Sequence, residues 1–247
     1  MTRDRRILGA LAGAACLSLL PASAWAMHIS EGILPVGWAA GWFVVALPFV
    51  AWGIRDIRRR SAESAYYKSL AGLMGAAVFV ISCLPIPVPG TGSCAHPTGT
   101  GLAAIFIGPA STVVISAIAL GLQALFMSHG GLSTLGANIM SMGIGGAFAG
   151  YYVFRLCRGL GLPVWGAAFA AGLLSDWGTY TLTSLELAAA LADPANFLKM
   201  LATILLAFVP TQVPLGILEG FISAGAYSFI LFRRPDLLPV LKREAAR

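Results

Sequence analysis

Long uninterrupted apolar runs constrain this chain more than any other feature of its sequence. Several of them reach 18 or more residues without a charge, which is enough for a helix to span the hydrocarbon core of a bilayer. Hydrophobic residues make up 58% of the 247 positions and charged residues only 11%, a composition that excludes an ordinary soluble domain. We therefore expect an all-α polytopic membrane protein.

Proline, glycine and charged residues divide the chain into seven apolar segments. These cover residues 36–53, 67–84, 101–108, 110–127, 135–157, 163–190 and 197–226. The third is only about 12 Å long as a helix, too short to cross a bilayer alone. Because Pro109 separates it from the fourth, we predict that the two form a broken or re-entrant pair.

The first 26 residues have the parts of a cleavable secretory signal. Arginines at positions 3, 5 and 6 precede an apolar stretch over 7–20, and Ala24 and Ala26 supply the small residues of a cleavage site. We predict cleavage after Ala26, which leaves an integral membrane domain over 27–247. The alternative is an uncleaved first membrane helix.

The positive charges predict the orientation of the spans. If the mature amino terminus is outside and 101–127 enters and leaves on one side, twelve of the thirteen Lys and Arg residues after position 26 are cytoplasmic. Only Lys199 is then outside. A single crossing by 101–127 would move the downstream charges outside, so two legs are favoured. The net charge of +6 thus reflects membrane orientation, and we expect no nucleic-acid partner.

Three histidines, His28, His96 and His129, all fall on the extracytoplasmic side in this topology. Neutral imidazole is the commonest protein ligand for transition metals. Cleavage after Ala26 would also free the amine of Met27 beside His28. That amine, the deprotonated amide nitrogen of His28 and its Nδ1 can close two fused chelate rings on one ion. A second imidazole would complete a nitrogen square suited to Ni(II) or Cu(II), and spacing alone leaves His96 and His129 both open as its source.

Three motifs in the same order carry a family resemblance. Residues 27–35, MHISEGILP, resemble the MHIxEGxLP amino terminus of the CbiM/NikM proteins, the substrate-binding S-components of cobalt and nickel energy-coupling-factor (ECF) transporters. Residues 92–109, GSCAHPTGTGLAAIFIGP, and 128–146, SHGGLSTLGANIMSMGIGG, are similar to two further motifs. Gly146 departs from the family's proline, and the extension before Met27 is absent from many relatives.

The resemblance implies a fold of about seven membrane segments, with the amino terminus dipping into the bundle from outside. It implies a metal site made of the Met27 amine, the amide and imidazole of His28, and the imidazole of His96. Co(II) or Ni(II) would then be the transported substrate, with no organic cofactor, to supply cobalamin synthesis or a nickel enzyme. The implied location is the cytoplasmic (inner) membrane of a bacterium or archaeon.

The family's partners are a transmembrane coupling subunit, cytoplasmic ATPases and often a small accessory membrane subunit. No Walker-type motif occurs in this chain, so ATP hydrolysis would come from those partners. The alternative function is a membrane metalloenzyme using the same histidines. Because no motif such as HExxH places a general base beside them, we do not expect an enzyme.

Several other polar residues have open roles. Cys94 stands two residues before His96 and is an alternative ligand or a disulfide partner for Cys83. His129 is expected to orient loops or a ligand rather than to bind the metal. For Asp176, near mid-membrane, we expect a hydrogen-bonded packing role. The remaining candidates are Glu31 and Asn138, at the outer face, and Glu219, for which the sequence indicates no partner.

Overall fold

The computed structural model describes residues 28–84, 86–88 and 93–234. Residues 1–27, which include the predicted signal and Met27, lie outside that part of the chain. The described helices are α1 (Val36–Glu63), α2 (Ala65–Ser82), α3 (Thr100–Ile107), α4 (Pro109–Phe126), α5 (Leu135–Asn138), α6 (Ala147–Gly159), α7 (Val164–Leu191) and α8 (Phe197–Arg233).

A π-helical segment, Ile139–Gly146, joins α5 to α6, so that 135–159 forms one continuous rod. Counting that rod once gives seven long helical segments among the described residues, which confirms the predicted helical membrane fold. A short 3₁₀ turn, Pro194–Asn196, precedes α8. Among the described residues, the one departure from an all-α fold is a small antiparallel hairpin, β1 (Ile86–Val88) with β2 (Ser93–Ala95), just before His96.

Three helical stretches of the described chain are long and apolar enough to cross a membrane by themselves: Val36–Glu63, Pro109–Phe126 and Pro194–Arg233. Tyr66–Ser82 is a shorter apolar helix. Large apolar side chains point outward from the bundle, as with Phe232, which is 82% exposed. Such a surface is unfavourable in water and suits contact with lipid.

The chain reverses direction at Gly108, as the two-leg prediction requires. Gly108 has φ +84, a left-handed conformation that favours glycine, and Pro109 follows at the first turn of α4. Beside this reversal the Tyr67 hydroxyl donates to the Ile107 carbonyl at 2.7 Å. At the other end of α4, Met127 Sδ lies 3.6 Å from Cys83 Sγ. Helices α3 and α4 therefore enter and leave on the same side, and the prediction is confirmed.

A buried carboxylate anchors the chain at this reversal. Asp56 on α1 accepts hydrogen bonds from Arg59 (2.9 Å), Arg60 (3.0 Å) and the Ser111 hydroxyl (2.8 Å). Because Ser111 belongs to the first turn of α4, the network ties the basic end of α1 to the point where the chain turns back. Charge-assisted bonds of this kind are stronger than neutral ones.

Helix α3 occupies the centre of the bundle, with all eight of its residues buried. It is apolar on every side, the pattern expected of a fully enclosed helix. Glycines bring its neighbours close: a Cβ at Gly101 would lie 2.6 Å from Ser175 Cβ, and one at Gly150 would lie 2.8 Å from the Gly101 Cα. At Gly146 a Cβ would meet the hydroxyl groups of Thr179 and Thr100, so this glycine serves close packing against α7 and α3.

Candidate metal site

The fold brings the three histidines together from three connecting segments. His28, His96 and His129 are 7%, 1% and 4% exposed. The ring centroid of His28 lies 4.4 Å from that of His96 and 5.6 Å from that of His129, and the other two centroids are 6.4 Å apart. The predicted gathering of the histidines is therefore confirmed.

The segment that carries His28 is held in place by its backbone. The Ile29 amide donates to Asn138 Oδ1 at 2.9 Å, while Asn138 Nδ2 (3.2 Å) and the Thr134 hydroxyl (2.6 Å) donate to the Ile29 carbonyl. Asn138 ends α5, immediately before the π-helical segment. The sequence left its role open between ligand contact and loop structure, and the structure shows it pairing with the backbone next to His28.

Close backbone approach also fixes the position of His28. His28 has φ +67, which is uncommon for a residue other than glycine, and Gly130 opposite it has φ +75. A Cβ at Gly130 would lie 3.4 Å from His28 Cβ and 3.3 Å from Asn138 Nδ2. The glycine after His129 therefore lets the loop pack directly against the amino-terminal segment.

Glu31 ties the same segment to the loop after His129. Its Oε2 accepts a hydrogen bond from the Ser133 amide at 3.1 Å. Hydrogen bonds from Ser133, its side chain first and then its backbone, lower the pKa of Glu31 below the ordinary value, so the exposed carboxylate is ionised at neutral pH. This role is structural and lies at the rim of the histidine cluster.

The imidazole of His28 is oriented by a chain of hydrogen bonds. His28 Nε2 lies 3.0 Å from Gln123 Oε1, an oxygen that can only accept, so Nε2 carries the proton. Gln123 is itself oriented, because its Nε2 donates to the Ser82 hydroxyl at 2.7 Å and that hydroxyl donates to the Val78 carbonyl at 2.6 Å. This pattern leaves a lone pair on Nδ1 of His28.

The imidazole of His96 is oriented in the complementary way. Its Nδ1 lies 2.9 Å from the Pro97 carbonyl, which accepts the ring proton and leaves the lone pair on Nε2. The Tyr180 hydroxyl holds the backbone on both sides, accepting from the His96 amide at 3.0 Å and donating to its carbonyl at 3.2 Å. His96 is thus anchored to α7.

These two tautomers leave an unprotonated nitrogen on each of two neighbouring imidazoles. His96 Nε2 and His28 Nδ1 are 3.0 Å apart. Adjacent nitrogen ligands that are each about 2.0–2.1 Å from one ion and meet at a right angle are separated by about 2.9 Å. The separation therefore suits two neighbouring ligands of one metal ion.

Burial keeps the three imidazoles neutral. It is the largest cause of the lowered pKa in each, bringing His96 to about 4 and His129 to about 3, and the pKa of His28 also falls well below its ordinary value. The proximity of His96 lowers the pKa of the other two further. Neutral imidazole is the form that binds metals.

His129 lies farther from the two neighbouring imidazoles than they lie from each other, with its ring centroid 5.6 Å from that of His28 and 6.4 Å from that of His96. Its backbone amide donates to the Gln123 carbonyl at 3.2 Å, and its Nε2 is buried without a hydrogen-bond partner among the described residues. In the part of the chain that the structure describes, no group of three or more His, Cys, Asp or Glu side chains is placed to hold an ion. Cys83 is a free thiol, while the Cys94 side chain lies outside the description.

Glu219 is the residue whose role sequence reasoning missed. Its Oε2 accepts from the Thr98 amide at 2.6 Å, and its Oε1 accepts from the Gly99 amide and the Thr98 hydroxyl, both at 2.9 Å. This fully buried carboxylate on α8 therefore grips the turn that follows His96. The sequence indicated no partner for Glu219 because the contact joins residues 121 positions apart.

The expectation for Asp176 was wrong. Neither of its carboxylate oxygens has a hydrogen-bond partner among the described residues, although the side chain is fully buried. A packing role would satisfy those oxygens. The side chain of Asp176 packs against α8, where a Cβ at Gly216 would lie 3.3 Å from Asp176 Oδ2.

Comparison with known proteins places this site in a family. Residues 28–237 match the family model CbiM, described as "Cobalt uptake substrate-specific transmembrane region". The chain belongs to the CbiM family. A relative named "Cobalt transport protein CbiM" from Sorangium cellulosum is 54% identical over 216 residues, which cover 87% of this chain and 96% of that protein.

A second relative of the same name, from Geobacter sulfurreducens, is 54% identical over 236 residues and covers 95% of this chain and 68% of its own length. Among solved structures, a truncated transition metal transporter superposes with a TM-score of 0.75 at 26% identity. That superposition covers 84% of this chain and 99% of the other. This chain therefore shares its fold with a solved transition metal transporter.

Proposed function

We propose that this protein is the substrate-binding membrane subunit of a cobalt importer of the ECF type. Its relatives carry the name of cobalt transport proteins, which favours transport over catalysis. The observation that carries the proposal is the 3.0 Å separation of His28 Nδ1 and His96 Nε2, both of which are left unprotonated.

In the proposed site, two backbone nitrogens complete the set of ligands that begins with these two imidazole nitrogens. The amine of Met27, freed by cleavage after Ala26, and the amide nitrogen of His28 would close two chelate rings with His28 Nδ1. His96 Nε2 would supply the fourth nitrogen. An α-amine with a pKa near 7.7–8.0 loses its proton at little cost around neutral pH. The same nitrogen set accepts Ni(II), so competition between the two ions is part of the test.

Equilibrium titration of the purified protein with Co²⁺ and Ni²⁺ tests the site directly. His28→Ala and His96→Ala should each abolish tight binding, because each removes ligands. His129→Ala should cost about 10- to 100-fold, the loss typical of a residue that supports a ligand without touching the ion. Wild-type affinity in either His28→Ala or His96→Ala would refute the proposed ligand set.

The role of the amino-terminal amine can be tested without removing any proposed ligand side chain. Inserting one alanine between Ala26 and Met27, with cleavage still after Ala26, moves the amine one residue away from His28. Blocking cleavage with Ala26→Phe replaces the amine by an amide. Both changes should reduce affinity as severely as His96→Ala, after mass spectrometry has established each mature terminus. Tight binding by either protein would show that the amine is not a ligand.

The proposed partners are a transmembrane coupling subunit, cytoplasmic ATPases and a small accessory membrane subunit in the inner membrane. We place the mature amino terminus on the extracytoplasmic side, where the ion is captured. Reconstitution in liposomes should give concentrative Co²⁺ uptake only with the partner subunits and ATP. ATP-dependent uptake by this chain alone would contradict the assignment.

A further inference from the structure

A buried acidic pair lies between α7 and α8, next to the turn that follows His96. Asp176 on α7 and Glu219 on α8 are both 0% exposed. Both oxygens of Asp176 lack a hydrogen-bond partner among the described residues. Because an ionisable group within a membrane span is costly, it is usually kept for a partner or a function.

The packing of the two helices gives this pair a third polar neighbour. Gly216 on α8 lies opposite Asp176, since a Cβ there would be 3.3 Å from Asp176 Oδ2. Gln212 and Glu219 are four residues before and three residues after Gly216, so all three lie on the same face of α8. The register is fixed one turn away, where Trp177 Nε1 donates to the Gln212 carbonyl at 3.0 Å.

Gln212 is an independent sign that this face holds a ligand. Its side chain is 4% exposed, and neither Oε1 nor Nε2 has a hydrogen-bond partner within the described ranges. Burying an amide without partners costs free energy, as does burying an unpartnered carboxylate. Two such groups on facing turns of α7 and α8 are therefore suited to bind a third group between them.

The acidic pair is joined to the histidine site through short contacts. Tyr180 bonds the backbone of His96 and lies one turn from Asp176 on α7. Glu219 holds Thr98 and Gly99, two and three residues after His96. In the proposed orientation α7 runs outward from the cytoplasm, so Asp176 lies one turn deeper than the residues that bond His96.

We propose that Asp176, Gln212 and Glu219 form a second, oxygen-lined binding position for the transported divalent metal ion, which the ion occupies between the histidine site and the cytoplasm. Carboxylate and amide oxygens bind cobalt less tightly than an imidazole and amine set does. An ion at this position is consequently easier to release. The inference rests on the proposed function, because the ion is the cargo captured by the histidines.

Removing the histidine site allows binding at the oxygen-lined position to be measured by itself. Purified His28→Ala/His96→Ala protein should still bind one Co²⁺ weakly, with an X-ray absorption spectrum that shows oxygen ligands only. Adding Asp176→Asn should weaken that binding by at least about tenfold, as expected for the loss of a charged ligand. The matched control is Glu186→Gln, ten residues further along α7. It changes another fully buried carboxylate that has no hydrogen-bond partner in the part of the chain that the structure describes, and it should leave binding unchanged.

Absence of the weak ion, or weak binding unaffected by Asp176→Asn, would overturn the proposal. Gln212→Leu provides a second variant that buries no uncompensated charge, and it should also weaken the residual binding. In otherwise wild-type protein, Asp176→Asn should retain the tight site while uptake by the assembled transporter falls. Wild-type uptake in that variant would also refute the second position, whereas failure of the wild-type protein to bind Co²⁺ tightly would refute the proposed function instead.

Discussion

Replacing Glu219 by glutamine tests how far binding at the histidine site depends on a residue that positions His96, because the substitution leaves the proposed nitrogen ligands unchanged. The carboxylate accepts two backbone N–H groups and one hydroxyl from Thr98 and Gly99. Glutamine keeps one acceptor oxygen but turns the other into an NH₂ group, so one buried N–H faces a donor. An unsatisfied buried donor costs about 1–3 kcal/mol, and hydrogen bonds to charged groups contribute about 1.5–3 kcal/mol.

We take about 2 kcal/mol as the net weakening of the turn that carries His96. If all of it appears in metal binding, the affinity for Co²⁺ falls about 30-fold, because each factor of ten corresponds to about 1.4 kcal/mol. The measurement is an equilibrium Co²⁺ titration of purified Glu219→Gln. Ser223→Ala, one turn further along α8, is the control and should bind like the wild type, since its hydroxyl has no partner among the described residues.

A double-mutant cycle checks that Glu219 acts through His96. At the histidine site the two changes should be strongly non-additive, so that Glu219→Gln has little further effect on whatever binding that site retains in the His96→Ala background; weak binding at the oxygen-lined position, which Glu219 itself lines, is scored separately. Thermal unfolding must show that Glu219→Gln remains folded. Unchanged Co²⁺ affinity in the single variant, or full additivity in the double variant, would refute the reasoning.

Three further predictions concern the same architecture. Gln123→Leu removes the acceptor that orients His28, and Co²⁺ affinity should fall about 10- to 100-fold in equilibrium titration; an unchanged dissociation constant would mean that the tautomer of His28 does not depend on Gln123. Gly101→Ala places a methyl group 2.6 Å from Ser175 Cβ and should destabilise the protein by about 1–3 kcal/mol, read as a lower melting temperature, whereas Gly72→Ala meets no atom within 4 Å and should not. In a background without other cysteines, an impermeant thiol reagent applied to intact cells should label Leu132→Cys and not Ala62→Cys, since both positions are exposed on the protein surface; the reverse pattern would invert the topology.

Much of the fold was predictable because membrane helices are recognisable in a sequence as long, uninterrupted apolar segments. The break at Gly108 and Pro109 was visible as local punctuation, and the arginine distribution decided between one crossing and two. The π-helical segment Ile139–Gly146 was not predictable, since widening a few turns of helix leaves the apolar composition of the sequence unchanged.

The site was predictable only in part. His28 and His96 stand out because the chain has just three histidines and each lies in a recognisable motif. The residues that orient them do not stand out. Gln123 is 95 positions from His28, and Glu219 is 121 positions from Thr98, so a single sequence contains no sign of either pairing. Both are ordinary polar residues inside apolar helices until the fold brings them to the histidine loops.

The contact between Glu219 and the start of α3 has an electrostatic consequence for the captured ion. The aligned peptide dipoles of a helix place about half a positive elementary charge at its amino terminus. Helix α3 directs that terminus toward the turn after His96, where its partial charge would repel a divalent cation. The carboxylate of Glu219 covers this terminus by accepting the Thr98 and Gly99 amides. When ionised, this carboxylate would outweigh the partial charge of the helix, so a cation at the proposed histidine site would meet a net attractive potential from the side of α3.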